Sequence, residues 1–330
     1  MTEVSAKLYD VATFGETMLR LAAPGCGRLE EAVTLDVRVG GSESNTAVAL
    51  SRLGFKVAWW SKLPANPMGR RIENEIRRWG VTTDAVIWDE TPQARAGLYF
   101  LDFGAPPRGT DVYYDRAASS ASHITAHEMD LPNCPIGQSR LLHLSGITPA
   151  LSPYALKATT HAMALAKRSG TPVSFDVNYR AKLWSPSAAR EALEPLMSGI
   201  DLLICPLADA VNIFSIHAGG IDTAAEFRER YNLSSVVITM GGDGAAAIDS
   251  EGKVYTAEPY KLTHVVDRVG AGDAFNAGVL MGWLAGDMQE GLKYGLAMSA
   301  LKHTIPGDLL ISTRAEIDAA RNGGDGGIKR

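Results

Sequence analysis

Short runs rich in β-branched and aromatic residues recur along the chain with helical patterns between them, and this rhythm restricts the fold more than any other feature. The runs are Leu8 to Phe14, Val57 to Ser61, Leu141 to Ser145, Pro172 to Val177, Asp201 to Cys205 and Val236 to Met240. Strands that alternate with helices pair in parallel, so the rhythm predicts a parallel sheet with helices on both faces. Two of the helices are marked by their ends. One follows Asn66 as cap and Pro67 in the first turn, places Ile72, Ile76 and Trp79 on one face, and stops at Gly80. The other runs from about Glu43 to Leu53 and stops at Gly54.

Two stretches break the rhythm. From about Pro92 to Tyr114 the pattern becomes an alternation interrupted by Gly and Pro, as in Ala96-Gly97-Leu98-Tyr99-Phe100-Leu101-Asp102-Phe103, and Thr17 to Val39 is similarly irregular. Both are expected to build a small β lid, residues 17–39 and 92–114, inserted into one domain that spans 1–330. At 330 residues the chain is long enough to bury a full α/β core. The Gly-rich, charged tail 322–330 is expected to fray. There is no internal repeat.

A net charge of −5 leaves no basic footprint, which argues against nucleic acid and for a small soluble ligand. Cys26, Cys134 and Cys205 are far apart and odd in number, which suits a reducing, cytoplasmic setting. Met1 to Asp10 is polar and charged where a signal peptide needs an apolar core, and no apolar run approaches the ~20 residues of a membrane span.

The chemistry is concentrated in Asp267-Arg268-Val269-Gly270-Ala271-Gly272-Asp273-Ala274-Phe275, a loop that opens an apolar helix. Small residues at Gly270, Ala271 and Gly272 let the backbone approach a ligand, and a helix N-terminus offers unpaired N–H groups and a positive dipole end, so an anion is expected there. Asp273, in the first turn, is placed to take the proton of a hydroxyl held against that anion. Phosphoryl transfer asks little more of a protein than positioning, a base and charge stabilisation. An isolated G-x-G-D would be read as plain capping. Asp267 before the loop, the small residues, the helix after it and a second Gly-rich segment upstream favour the chemical reading. No G-x-x-x-x-G-K-[ST] is present and no G-x-G-x-x-G follows the first strand, so neither a P-loop NTPase nor a Rossmann dehydrogenase is supported.

The constellation resembles the ribokinase-like, or PfkB, carbohydrate kinases over nearly the whole chain. Gly40-Gly41-Ser42-Glu43-Ser44-Asn45 looks like the family's N-terminal sugar-binding signature and Asp267 to Phe275 like its C-terminal one. Within the family the sequence looks most like the 2-keto-3-deoxygluconate kinases. The stretches that carry this are Phe14 to Leu21, Gly97 to Gly104, Tyr113 to Ala117, Ser145 to Leu151 and, above all, Asp176-Val177-Asn178-Tyr179-Arg180 with Leu183-Trp184. The resemblance implies a three-layer α/β/α doubly wound sheet with a β lid, ATP and Mg²⁺ as co-substrates, and a homo-oligomer formed through the lid.

The expected acceptor is a six-carbon 2-keto acid phosphorylated at its terminal hydroxyl. Arg116 and Arg180 are assigned to its carboxylate, because a guanidinium fork matches that group; the plainer reading of each is a solvated charge or a structural ion pair. Gly40, Gly41 and Asn45 suit the sugar, against the alternative of a strand-to-helix turn with a capping Asn. Tyr99 and Tyr114 are candidates to close over it from the lid. Thr239-Met240-Gly241-Gly242-Asp243-Gly244 resembles the family's ATP-edge loop, so ribose and phosphate contacts are expected near Thr239, Gly241 and Gly244, with Gly270 and Gly272 at the phosphates. Asn178 and Lys182 are placed to reach phosphates from the opposite side, although Lys182 also fits a surface charge.

Many family members carry Asn-x-x-Glu where this chain has Pro206-Leu207-Ala208-Asp209. The metal role is therefore assigned to Asp209 acting through water, since Mg²⁺ needs only one or two protein carboxylates beside phosphates. His123 and His127 are spaced i, i+4, a zinc-ligand spacing on one helix face. No Glu or third His supports a metal, and they are read as surface histidines of a helix. The leading expectation is phosphorylation of 2-keto-3-deoxygluconate with Asp273 as base. The alternatives are 2-keto-3-deoxygalactonate, fructose or another ketose as acceptor, and a non-catalytic sensor on the same fold.

Overall fold

Alternate residues of each central strand enter two different cores, and this divides the molecule into layers. In the strand Leu202–Pro206, Leu202 and Ile204 pack with the helices Ser42–Arg52, Ala271–Ala285 and Met288–His303, whereas Leu203 and Cys205 pack with Pro153–Ser169, Pro186–Leu193 and Leu207–Phe214. A strand buried on both faces needs apolar residues throughout, which is why these runs are continuous rather than alternating. The computed structural model describes residues 7–105, 107–262 and 264–323.

The main sheet has the spatial order Val254–Ala257, Ala245–Ile248, Ser235–Thr239, Leu202–Pro206, Val173–Asp176, Ser139–Ser145, Tyr9–Phe14, Val57–Trp60. The six strands from Ser235–Thr239 to Val57–Trp60 pair in parallel and coincide with the six runs read from the sequence. Two further strands, Ala245–Ile248 and Val254–Ala257, add in antiparallel fashion. The sheet is thus mixed, with the expected parallel strands extended at one edge by an antiparallel pair. These two carry weak signals: one begins Ala-Ala-Ala and the other is an edge with exposed alternate residues.

A second, four-stranded sheet has the order Asp36–Gly40, Met18–Ala22, Leu98–Asp102, Asp111–Asp115. Its register aligns Arg38, Arg20, Tyr99 and Tyr114 on one face and Val37, Leu21, Phe100 and Tyr113 on the other. These strands fall in or beside the two stretches that broke the rhythm.

The helix Pro67–Arg77 forms as read, with the Asn66 side chain accepting from the N–H groups of Met68 (3.0 Å) and Gly69 (3.2 Å). His123 and His127 do not share a helix. They lie in separate one-turn 3₁₀ segments, Ser120–His123 and Ala126–Met129. Of the expected tail, Asn322 and Gly323 close the last helix and 324–330 lie outside the described residues. Among the described residues no helix is long and apolar enough to cross a membrane.

Candidate active site

The helix Ala271–Ala285 is apolar nearly all round and buried, so it is fixed in the core, and its first turn projects into the space between the two sheets. Gly270 caps it with φ +84°, and a Cβ there would lie 2.0 Å from the Asp308 carbonyl oxygen. Only glycine satisfies both conditions. A cavity of about 370 Å³ opens at this point. It is lined by Gly270, Gly272, Asp273 and Arg268 from the loop, by Asp176, Asn178 and Arg180 from beyond the strand Val173–Asp176, by Thr239, and by Tyr99 and Tyr114 from the small sheet. Residues assigned from distant parts of the sequence therefore share one wall.

Asp273 is buried, 7% exposed, yet faces this cavity. Its carboxylate accepts from Ser42 Oγ (2.7 Å) and Asn45 Nδ2 (2.7 Å). Burial pushes its pKa up, and the two hydrogen bonds and the positive charge of Arg180 oppose that rise. A carboxylate made more basic while its ionised form is still held by hydrogen bonds is suited to receive a proton. Asn45 is oriented by the Gly41 N–H, which donates to its Oδ1 (3.3 Å), so both ends of its amide are committed within the protein. Asn45 thus holds Asp273 and stands outside the cavity lining, where a sugar contact was expected of it.

Asp176 extends the network. It accepts from Asn276 Nδ2 (2.7 Å) and Asn178 Nδ2 (3.1 Å), and Asn178 also donates to Ser42 Oγ (2.8 Å). Asn178 adopts φ +40°, a costly backbone conformation of the kind that gathers at functional sites. Burial raises Asp176 to about 7; Asn276 works against this, and the charges of Asp273 and Asp209 add to it.

The two arginines part company. Arg116 is buried, and its Nε (2.8 Å) and Nη2 both donate to Glu16 Oε2, while Ser119 Oγ donates to Oε1. It is a buried ion pair outside the cavity lining, set over the ring of the cavity residue Tyr114, rather than the unpaired fork expected for the substrate carboxylate. Arg180 is exposed at the cavity wall and pairs with no carboxylate among the described residues. Arg268 shares both properties. Lys182 does not reach toward phosphates: its Nζ donates to the Val112 carbonyl and lies over the rings of Tyr113 and Tyr114.

Gly40 gives space rather than backbone donors. A Cβ there would lie 2.1 Å from Asp308 Oδ2 and 2.6 Å from the Tyr99 hydroxyl. That hydroxyl donates to Asp308 (2.5 Å), which accepts from Arg20 (2.7 Å), which in turn donates to Asp267 (2.5 Å). Tyr114 sits with its ring 6.0 Å from that of Tyr99. On the nucleotide side, Thr239 ends its strand at the cavity, and Gly241 (φ +60°) and Gly244 (φ +85°) turn the chain into the first antiparallel strand.

Asp209 is half-buried and accepts from the Tyr179 N–H (3.1 Å), and burial raises its pKa. No group of three His, Cys, Asp or Glu side chains able to hold a metal occurs among the described residues. A Mg²⁺ ion that arrives with phosphates needs one or two carboxylates. Asp176 at the wall and Asp209 behind it meet that need.

Ser42, Asp176, Asn276, Arg268 and the chain from Tyr99 to Asp267 were not assigned from the sequence. Ser42 and Asp176 sit inside the quoted runs and Asn276 directly follows Phe275, so position within a motif was the available signal. Arg20 lies in the quoted run Phe14 to Leu21 and shared that signal, whereas Asp308 carried none.

With this geometry in place, comparison with known proteins is direct. Residues 9–312 match the pfkB family of carbohydrate kinases, and the chain belongs to that family. A 2-dehydro-3-deoxygalactonokinase of Haloferax volcanii is 42% identical over 322 residues, 97% of this chain and 99% of that protein. A 2-dehydro-3-deoxygluconokinase of Bacillus subtilis is 33% identical over 306 residues, 91% of each. The crystal structure of 2-dehydro-3-deoxygluconokinase from Thermotoga maritima superposes with a TM-score of 0.89 at 34% identity, covering 96% of this chain and 98% of that one. The fold is accordingly ribokinase-like, and the protein is a carbohydrate kinase.

Proposed function

We propose that the protein uses ATP to phosphorylate the terminal hydroxyl of a 2-dehydro-3-deoxyhexonate, the 2-keto-3-deoxy acid expected from the sequence. The observation that supports this most is the conjunction, on one cavity wall, of a buried basic carboxylate, a glycine-capped helix N-terminus and unpaired arginines. In this reading the γ-phosphate lies against the N–H groups at Gly270 to Gly272. Asp273 takes the hydroxyl proton, and the backbone donors stabilise the charge that spreads over the transferring group. Asp176 and Asp209 would hold a Mg²⁺ ion that arrived with the nucleotide, which would neutralise phosphate charge. Thr239 and the turn at Gly241 and Gly244 border the nucleotide. Arg180, with Arg268 beside it, faces the substrate carboxylate in place of Arg116.

The gluco and galacto acceptors differ in configuration at C4 alone. The sequence favours the gluco form, whereas the higher identity to the Haloferax volcanii protein favours the galacto form as a second reading. Release of ADP with both epimers, fructose and other neutral ketoses decides among them and separates a kinase from a sensor. Preference for a neutral sugar overturns the acid reading. Asp273→Asn is expected to lower kcat by about 10²–10⁴-fold with the acceptor KM largely kept. A near-normal kcat overturns the mechanism.

The small sheet is read as a lid, since Tyr99 and Tyr114 reach the cavity from it. Its other face carries Val37 (37% exposed) and Tyr113 (54% exposed) in register with Leu21 and Phe100, which favours a second copy of this chain as its cover and a homo-oligomer. Light scattering checks this: Tyr113→Lys is expected to yield monomers. The three cysteines are free, in keeping with a cytoplasmic protein.

A further inference from the structure

Tyr99, Asp308, Arg20 and Asp267 form an unbroken chain of charge-assisted hydrogen bonds from the cavity wall to the loop that opens the helix Ala271–Ala285. The first and third members stand side by side on the small sheet, Arg20 opposite Tyr99. The second and fourth belong to the main domain. All four are nearly inaccessible, with exposures of 4%, 4%, 2% and 2%. The links are shielded from bulk solvent, so a change at one end is passed along the chain with little screening.

The chain ends on the backbone that must be in place for phosphoryl transfer. Asp267 accepts from the Val269 N–H (3.1 Å) and the Gly307 N–H (2.9 Å), and the Asp308 carbonyl packs against Gly270. At the other end the Tyr99 hydroxyl has donated its only proton to Asp308 and keeps its lone pairs for a donor in the cavity. An acceptor sugar hydroxyl that donates to Tyr99 polarises the phenol and strengthens its bond to Asp308; Asp308, which accepts from both sides, then holds Arg20 less tightly, and Arg20, which donates on both sides, turns more of its charge to Asp267.

We propose that this chain makes filling of the acceptor pocket and ordering of the Asp267 to Gly272 loop one thermodynamic event, with Tyr99, Arg20 and Asp308 as positioning residues for the nucleotide. The inference rests on the reading of the cavity as the acceptor site of a kinase. It gives ATP a tighter, ordered site only when a hydroxyl is present to receive the phosphoryl group, and so disfavours transfer to water.

Calorimetry of a non-hydrolysable ATP analogue with Mg²⁺, alone and with saturating acceptor, tests it in the wild type, Tyr99→Phe, Asp308→Asn and the double variant. The acceptor is whichever member of the sugar panel releases ADP. In the wild type the acceptor is expected to tighten the analogue by about tenfold, and in each single variant that ratio is expected to fall to about one to two, with no further fall in the double variant. A structural role alone lowers Tm and leaves the ratio unchanged. Retention of the wild-type ratio in Tyr99→Phe, which removes one oxygen atom and keeps the ring, overturns the proposal even if Asp308→Asn does not fold. A wild type that turns over an acceptor yet shows no ratio overturns the coupling alone. One that turns over no member of the panel overturns the reading of the cavity as well.

Discussion

Arg116 and Arg180 come from opposite sides of the cleft, one beside the small sheet and the other beyond a central strand, and the protein treats them in opposite ways. Arg116 is buried with both donors on Glu16, whose side chain is 1% exposed. Arg180 stands in the open at the cavity, unpaired among the described residues. The first already has its charge balanced by a buried partner. The second keeps its fork free, as the proposed contact with the carboxylate of an acid requires. Residue type gives both the same chemistry, and burial with a partner decides which is architecture and which is recognition.

Three experiments press on that difference, in order of expected size. Arg116→Ala leaves Glu16 buried without its cation, and should cost about 3–5 kcal/mol of stability by denaturant unfolding. A combined replacement of Glu16 and Arg116 by Gln and Met should restore most of it. If Arg116→Ala instead folds normally and loses acid binding, the contrast collapses. Arg180→Ala should leave the unfolding curve nearly unchanged and raise the acceptor KM by about 10–100-fold, the worth of a hydrogen bond to a charged group. An unchanged KM removes Arg180 from the site.

The third experiment carries the contrast from cations to carboxylates. Unlike Glu16, Glu43 pairs with no cation among the described residues. Its Oε1 accepts from Ser145 (2.7 Å) and Thr148 (3.0 Å), its Oε2 has no partner, and burial lifts its pKa from 4.5 to about 7. Below 4.5 both folded and unfolded states hold the proton. Between 4.5 and about 7 only the folded state does, so its stability falls as pH rises through that window and levels off above it. Asp176, raised from 3.8 to about 7, acts in the same direction. Glu43→Gln should therefore make the drop in Tm between pH 5 and pH 8 shallower by a few degrees without abolishing it. Equal slopes in the two proteins would place the titration elsewhere.

Much of this molecule was legible before its structure. Six strands, the Asn66-capped helix, the irregular stretches that become the second sheet and the loop before Asp273 all rest on local signals: periodicity, caps, breakers and a motif. What escaped was long-range. Glu16 meets Arg116 across 100 residues and Asn45 meets Asp273 across 228. No local pattern states that a given arginine has a glutamate waiting for it. The two antiparallel strands failed for a different reason, since three alanines in succession carry no β-branched signal and an edge strand needs little apolar surface. The spacing of His123 and His127 suggested one helix because periodicity ignores the breaks between short 3₁₀ turns.

The distance in sequence between Arg20 and Asp308, 288 residues, has a consequence for how the protein comes into being. A chain growing on the ribosome completes its parallel strands by Thr239 and still lacks Asp267, Asp273 and Asp308. Ser42, Asn45, Tyr99 and Arg20 have been made and wait for partners that emerge last. A nascent or prematurely terminated chain thus carries the walls of a pocket but no reactive loop. On the proposed mechanism it can transfer no phosphoryl group until that loop has been made.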